Sequence, residues 1–192
     1  MRSRPTALIA FVLAAAPARG QAVAASSDPE SAALAYFYGD YAKKNLLAAA
    51  ERMPDAGYSF RPVEGVRTFA ELLGHIADAQ YLFCSSARSE ENPRPGAEGP
   101  GRSSASAIEK TAKTKAEVSR ALAESFAYCD GVFAKLTDAG LASGRKLIGR
   151  DQTLATVSTL AVVHLAEHYG QVTVYLRLRG IVPPSTQPDS KE

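Results

Sequence analysis

The sequence predicts an all-α fold, a four-helix bundle, on three observations. Four stretches repeat apolar residues at three- and four-residue steps. No stretch alternates apolar and polar residues over the length of a strand, and no internal repeat is visible. One connection, rich in proline, glycine and charge, is long enough to cross a bundle from end to end. A chain of 192 residues can bury one core of ordinary size and is too short to argue for two.

The N-terminal residues are of another kind. Arg2 and Arg4 precede an apolar run from Thr6 to Ala16, and small residues follow as far as Ser27. That order is the charged, apolar and cleavage regions of a secretory signal, expected over residues 1–25 with cleavage after Ala18, Gly20 or Ala25. The run is shorter than the roughly 20 apolar residues a membrane span needs, so no stable membrane insertion is expected after cleavage. The alternative is an ordinary apolar N-terminal helix. No cysteine follows the run where a lipid could be attached.

The first helix is expected from about Ser31 to Arg52, with Leu34, Phe37, Tyr38, Tyr41, Leu46 and Ala49 at helical spacing. Met53-Pro54-Asp55-Ala56-Gly57 ends it, since proline and glycine interrupt a helix. A short extended link, Tyr58–Pro62, leads to a second helix opening at Thr68. Glu71 stands three residues later, the spacing of a capping box. This helix runs to about Ser86, with Phe69, Leu72, Leu73, Ile76, Gln80 and Phe83 on one face and His75 at its edge. Residues 88–104 form the crossing, which would let the third helix run parallel to the second. The third helix is expected over residues 105–138, a loop over 140–150, and the fourth helix over 153–179, closed by Gly180 and Pro183-Pro184. The bundle domain thus spans 31–184, followed by a polar tail, 185–192.

The formal charge of +2 is scattered, and no basic run is interleaved with aromatics. Nucleic acid is therefore not an expected partner. Two cysteines, Cys84 and Cys129, lie on consecutive expected helices. They could pair in an oxidising compartment or stay as two separately buried thiols.

The three histidines carry the chemistry. His164 and His168 are four residues apart, so they stack on one face of the fourth helix with Val157, Ala161, Leu165, Val172 and Tyr175. Such a pair can hold one metal ion, and His75 could add a ligand from across the bundle. Burying adjacent imidazoles without a partner is costly, and a cation that takes a lone pair from each neutral ring removes that cost. By spacing alone, satisfied core or rim histidines are the favoured reading, because such a spacing also arises by chance. Gln171, one turn beyond His168, could bond a ligand ring or serve the interior. Asp78, one turn beyond His75, could orient that ring or lie in solvent. No acidic residue shares the inward face with His164 and His168, so no general base is evident.

Two segments, MPDAGYSFRPVEGVRTFAELLGHIADAQYLFC (53–84) and VVHLAEHYGQVTVYLRLRGIVPPS (162–185), resemble the DinB/YfiT-like family across the link, the LLGHIADA helix and the last-helix pattern of His, three residues, His. The resemblance covers about Ser31 to Pro184. It implies a DinB-like four-helix bundle with a long crossover between helices 2 and 3, and it maps the family's ligands onto His75, His164 and His168. It also implies a divalent metal ion, zinc or nickel foremost, in an open three-histidine site. Metal-dependent hydrolysis or thiol transfer on a small-molecule substrate follows as an expectation, and a homodimer is compatible with it. The competing readings are a non-catalytic metal- or small-ligand-binding protein of the cell envelope or of stress, and a structural dimerising bundle. Export weighs against thiol transfer, whose co-substrates are concentrated in the cytosol.

Overall fold

The computed structural model describes residues 28–94 and 107–186. The expected signal segment lies outside the described residues, as do most of the crossing between the second and third helices and nearly all of the polar tail. The described chain is four long helices around one core, with a two-stranded hairpin at one end.

Helix α1 is continuous from 29 to 52 but not uniform: α-helix over Pro29–Tyr36, π-helix over Phe37–Lys43 and α-helix again over Lys44–Arg52. Lys44 N–H reaches back five residues to the Gly39 carbonyl, and the Asn45 side chain donates to the Tyr41 carbonyl at 2.7 Å. The start of α1 is held by the Asp138 carboxylate, which accepts from the Ser31 N–H at 2.8 Å. After a 3₁₀ turn at Asp55–Gly57, the link folds back on the next helix instead of running freely extended. Phe69 N–H donates to the Phe60 carbonyl and Ala70 N–H to that of Tyr58, both at 2.9 Å.

Helix α2 covers Phe69–Arg88 and begins with the expected capping box, in which Glu71 N–H donates to Thr68 Oγ1 and Thr68 N–H to Glu71 Oε2. The third helix departs from expectation. In place of one helix over 105–138 there is a single turn, α3 (Ile108–Thr111), a break at Ala112, and then α4 (Lys115–Phe133). The cause is a second capping box, Thr114 with Glu117, which starts a new helix and lets the preceding turn leave its axis. Another short turn, α5 (Asp138–Leu141), follows.

The expected loop at 140–150 also proves structured. It contains β1 (Gly144–Leu147) and β2 (Arg150–Thr153), paired antiparallel around the two-residue turn Ile148-Gly149. Helix α6 (Leu154–Leu178) completes the bundle, N-capped by Thr153. None of these helices is long and apolar enough to cross a membrane.

Helices α2 and α4 run the same way, as the long crossing predicts. Tyr58, just ahead of α2, meets Ser119 near the start of α4 at 3.1 Å. Near the other end, Cys84 and Cys129 form a disulfide, which resolves the open choice between pairing and separate thiols. The core between the helices is apolar and closed, with Leu46, Phe69, Leu73, Ile76, Leu122, Phe126, Val157 and Leu165 each at most 1% exposed. On its outer side α6 exposes Leu160, Val163, Val174 and Leu178, an apolar stripe that helical spacing does not distinguish from a core face.

Candidate metal centre

The capping box at Thr68 sets the start of α2 and places His75 two turns into it, facing α6. Helix α6 in turn brings His164 and His168 to the same spot. The three side chains form the group that could hold a metal ion, with one nitrogen from each lying within 4.8 Å of the others. His164 Nε2 stands 3.2 Å from His75 Nε2 and 3.0 Å from His168 Nε2. Two nitrogens bound tetrahedrally to one zinc ion at the usual bond length stand about 3.3 Å apart, so this spacing suits a shared ion.

Hydrogen-bond accounting tests whether a cation belongs there. His168 Nδ1 lies 3.1 Å from Gln171 Oε1, and His75 Nδ1 lies 3.4 Å from Glu109 Oε2. Gln171 Oε1 is an acceptor, so His168 carries its proton on Nδ1 and turns an Nε2 lone pair inward, whereas His75 Nδ1 also faces a donor, Arg67 Nη2 at 3.4 Å, and its proton can sit on either nitrogen. In either case His164 Nε2 has one hydrogen or one lone pair to offer two neighbouring ring nitrogens. One buried nitrogen is left unmatched, a cost that a cation at the meeting point would remove. The residues therefore fit a divalent ion.

The electrostatics agree with neutral rings. Burial pushes His164 down to about 3, reinforced by like-charge repulsion from His168 and His75. Burial also lowers His168, outweighing the Gln171 bond that pulls it up. Phe83 packs edge-on against His164, its ring centre 5.6 Å away, and keeps the α2 side of the site apolar.

Of the two residues expected around the ligands, Gln171 takes the ligand-ring role and Asp78 takes neither of its readings. Asp78 is 3% exposed and accepts two backbone N–H groups, from Ile108 and Glu109, each at 3.0 Å. Burial holds its carboxyl above the ordinary value despite those two bonds. Its service is to α3: it ties that turn to α2. Gly74 makes the tie possible, because a Cβ there would lie 2.8 Å from Glu109 Cα and 2.9 Å from Glu109 N.

The carboxylate that does reach His75 is Glu109, on α3 and 6% exposed. It is shared with Arg67, whose Nε lies 3.0 Å away. Burial works to raise Glu109, but the bonds to His75 and Arg67, with the Arg67 charge, bring it to about 2. Arg67 is held by its own backbone, since the Tyr175 hydroxyl donates to its carbonyl at 2.6 Å. Neither residue stands out by spacing. A one-turn helix and a link carry no periodic signal, although Thr114 and Glu117 do mark where α3 must end.

Comparison with known proteins agrees with this picture. The fold is similar to a crystal structure of a DinB-like protein from Bacillus cereus, with a TM-score of 0.61 at 16% identity, covering 77% of this chain and 92% of that one. It is also similar to a DinB-like protein from Bacillus subtilis, with a TM-score of 0.58 at 20% identity, covering 81% and 97%. At these identities the likeness establishes the fold alone. Among curated proteins, none matches the sequence significantly. The sequence profile of the DinB superfamily matches residues 39–172, which include α2, the crossing and all three histidines, and the chain belongs to that superfamily.

Proposed function

We propose that the chain is an exported metalloenzyme, a hydrolase of small molecules built on a divalent ion held by Nε2 of His75, His164 and His168. The observation that carries this reading is the inward convergence of three imidazole nitrogens, with His168 backed by Gln171 and His75 by Glu109 and Arg67. The ligand group among the described residues holds three side chains and no carboxylate. Three protein ligands leave positions open, which distinguishes catalytic sites from closed structural ones. A divalent ion there supplies Lewis acidity, polarising a carbonyl or phosphoryl oxygen and acidifying water. The protein's own part is to keep the rings neutral by burial, to hold the His168 tautomer through Gln171, to orient His75 between Glu109 and Arg67, and to exclude bulk water on the Phe83 side.

Hydrolysis is favoured over thiol transfer by the Cys84–Cys129 disulfide. A buried disulfide together with an N-terminal secretory pattern suits an oxidising compartment, where low-molecular-weight thiol co-substrates are scarce. Three imidazoles suit zinc, nickel, iron or copper, with zinc and nickel the first to test.

The test is elemental metal content of the chain lacking residues 1–25, purified without chelator beside His168→Ala. Near-stoichiometric metal in the parent and little in the variant would support the site and justify screening ester, amide and phosphoester substrates. If both stay metal-free after incubation with zinc and with nickel, the reading fails.

A further inference from the structure

A cleft of about 710 Å³ opens beside the histidines, and its lining is more basic than acidic. Arg61, Arg67 and Lys110 supply three cations to it, and Glu71 and Glu109 supply two carboxylates. It shares a wall with the metal centre. Arg67 Nη2 stands 3.4 Å from His75 Nδ1, and Gln171, also in the lining, stands 3.1 Å from His168 Nδ1.

Both carboxylates are already committed. Glu71 Oε2 accepts from the Thr68 N–H at 2.9 Å and lies 3.5 Å from Arg61, while its other oxygen is 3.6 Å from Lys113. Glu109 is divided among Arg67 at 3.0 Å, Lys110 at 3.6 Å and His75 at 3.4 Å. The lining thus carries three cations (Arg61, Arg67 and Lys110) against two carboxylates, an excess of one positive charge, and Lys113 just outside it neutralises Glu71 further. The cations keep unspent donors. Arg61 makes one long contact with its five-donor fork, Lys110 makes one at 3.6 Å, and Arg67 commits only Nε to a carboxylate. Two guanidinium forks and an ammonium around one space match the geometry of a carboxylate or phosphate group.

We infer that this cleft is an oxyanion subsite, taking the carboxylate or phosphate end of the substrate whose scissile bond is presented to the metal centre. Its catalytic role rests on the metal-centre reading above; its capacity to bind an anion does not. The substrate class is therefore an anionic small molecule, held by one end at Arg61, Arg67 and Lys110. Gln171 and Arg67, which touch both the cleft and the ligand rings, place that end next to the reacting bond.

Calorimetric titration tests this with inorganic phosphate and, separately, with malonate. Each is run on the zinc-loaded chain and on the metal-free chain, for the parent and for the double variant Arg61→Gln/Lys110→Gln. Both substituted side chains are about half exposed, so the variant should fold, and circular dichroism with metal content checks that it does. The expected result is saturable binding of at least one probe in both metal states. The double variant should bind that probe at least tenfold more weakly while retaining its zinc. Tighter binding of phosphate points to a phosphate-bearing substrate, and tighter binding of malonate to a carboxylate. Binding that appears only with zinc and is indifferent to the double substitution places the anion on the ion itself, which overturns the cleft and leaves the metal centre intact. Absence of binding by either probe overturns the inference as well. Anion binding lost in the double variant of a chain that takes up no zinc leaves the subsite standing and removes the metal-centre reading.

Discussion

Gly74→Ala is the smallest change that should reach the metal centre without touching a ligand. The new Cβ would lie 2.8 Å from Glu109 Cα, 2.9 Å from Glu109 N and 3.1 Å from Ile108 C, all backbone atoms that no side-chain rotation can move aside. Ordinary contact begins near 3.4 Å, so α3 must lift by about 0.6 Å, the difference between 3.4 and 2.8. That shift takes the two Asp78 bonds from 3.0 Å to about 3.6 Å, beyond useful hydrogen-bond length. It also draws Glu109 off His75. Overpacking of this kind costs about 1–3 kcal/mol, only partly offset by the roughly 0.5–1 kcal/mol that alanine gains over glycine in a helix. The expected net loss is up to about 2.5 kcal/mol, a fall in Tm of up to roughly 10 °C. Loss of the carboxylate behind His75 should weaken zinc about 10- to 100-fold, measured by competition with a chromogenic chelator. Gly170→Ala is the matched control: it too sits in a helix, next to a ligand pair, but its added Cβ meets nothing within 4 Å. If Gly74→Ala matches Gly170→Ala in both stability and zinc affinity, α3 does not hold Glu109 on His75 and the argument fails.

Two further outcomes follow from the same structure. His164 and His168 are depressed in the folded chain, His164 to about 3, so below the ordinary histidine range the unfolded chain binds protons that the folded one refuses. Metal-free protein should lose stability as pH falls below about 6.5, at up to roughly 1.4 kcal/mol per pH unit for each such group. Urea melts between pH 7.5 and 5 should show that decline, shallower in His164→Gln; an equal slope in the two proteins would mean the rings are not held neutral. Ile148 occupies the hairpin turn at φ 52°, a conformation costly for a β-branched residue, and is 49% exposed. Ile148→Asn should therefore raise stability by about 1 kcal/mol, or roughly 2–4 °C in Tm, and a lowered Tm would show that the side chain packs more than its exposure indicates.

What was legible in the sequence follows the physics that wrote it. The long helices declare themselves because each buries one stripe of a 3.6-residue repeat, and Thr68 with Glu71 marks the start of α2 by local chemistry alone. His164 and His168 are visible for the same reason: their spacing is a helix turn. The hairpin was not legible, because Ile148-Gly149 offers only half of a turn signal and four-residue strands are too short to show alternation. Asp78 and Glu109 were misplaced or missed for a deeper reason. Read as a surface carboxylate on α2, Asp78 is buried by a turn that arrives from 30 residues away. Glu109 reaches His75 only because the helix breaks at Ala112, and the break is signalled by Thr114 and Glu117, not by any residue near the site.

The arrangement would couple a bound metal to the fold. Periodic helices bring three imidazoles together, and the irregular segments, the link with Arg67 and the turn with Glu109, surround the outer nitrogen of His75. With the His168 proton held on Nδ1 by Gln171, the single His164 Nε2 still faces two ring nitrogens and can bond only one of them. That deficit is a cost carried by the folded chain alone, since the unfolded chain solvates its imidazoles in water. An ion that binds only the folded form removes the deficit and adds stabilisation that grows with the logarithm of its concentration over Kd. The crowding of three ring nitrogens would thus make the empty site unfavourable and a filled one favourable. A centre organised this way would favour a bound cation even before any substrate is considered.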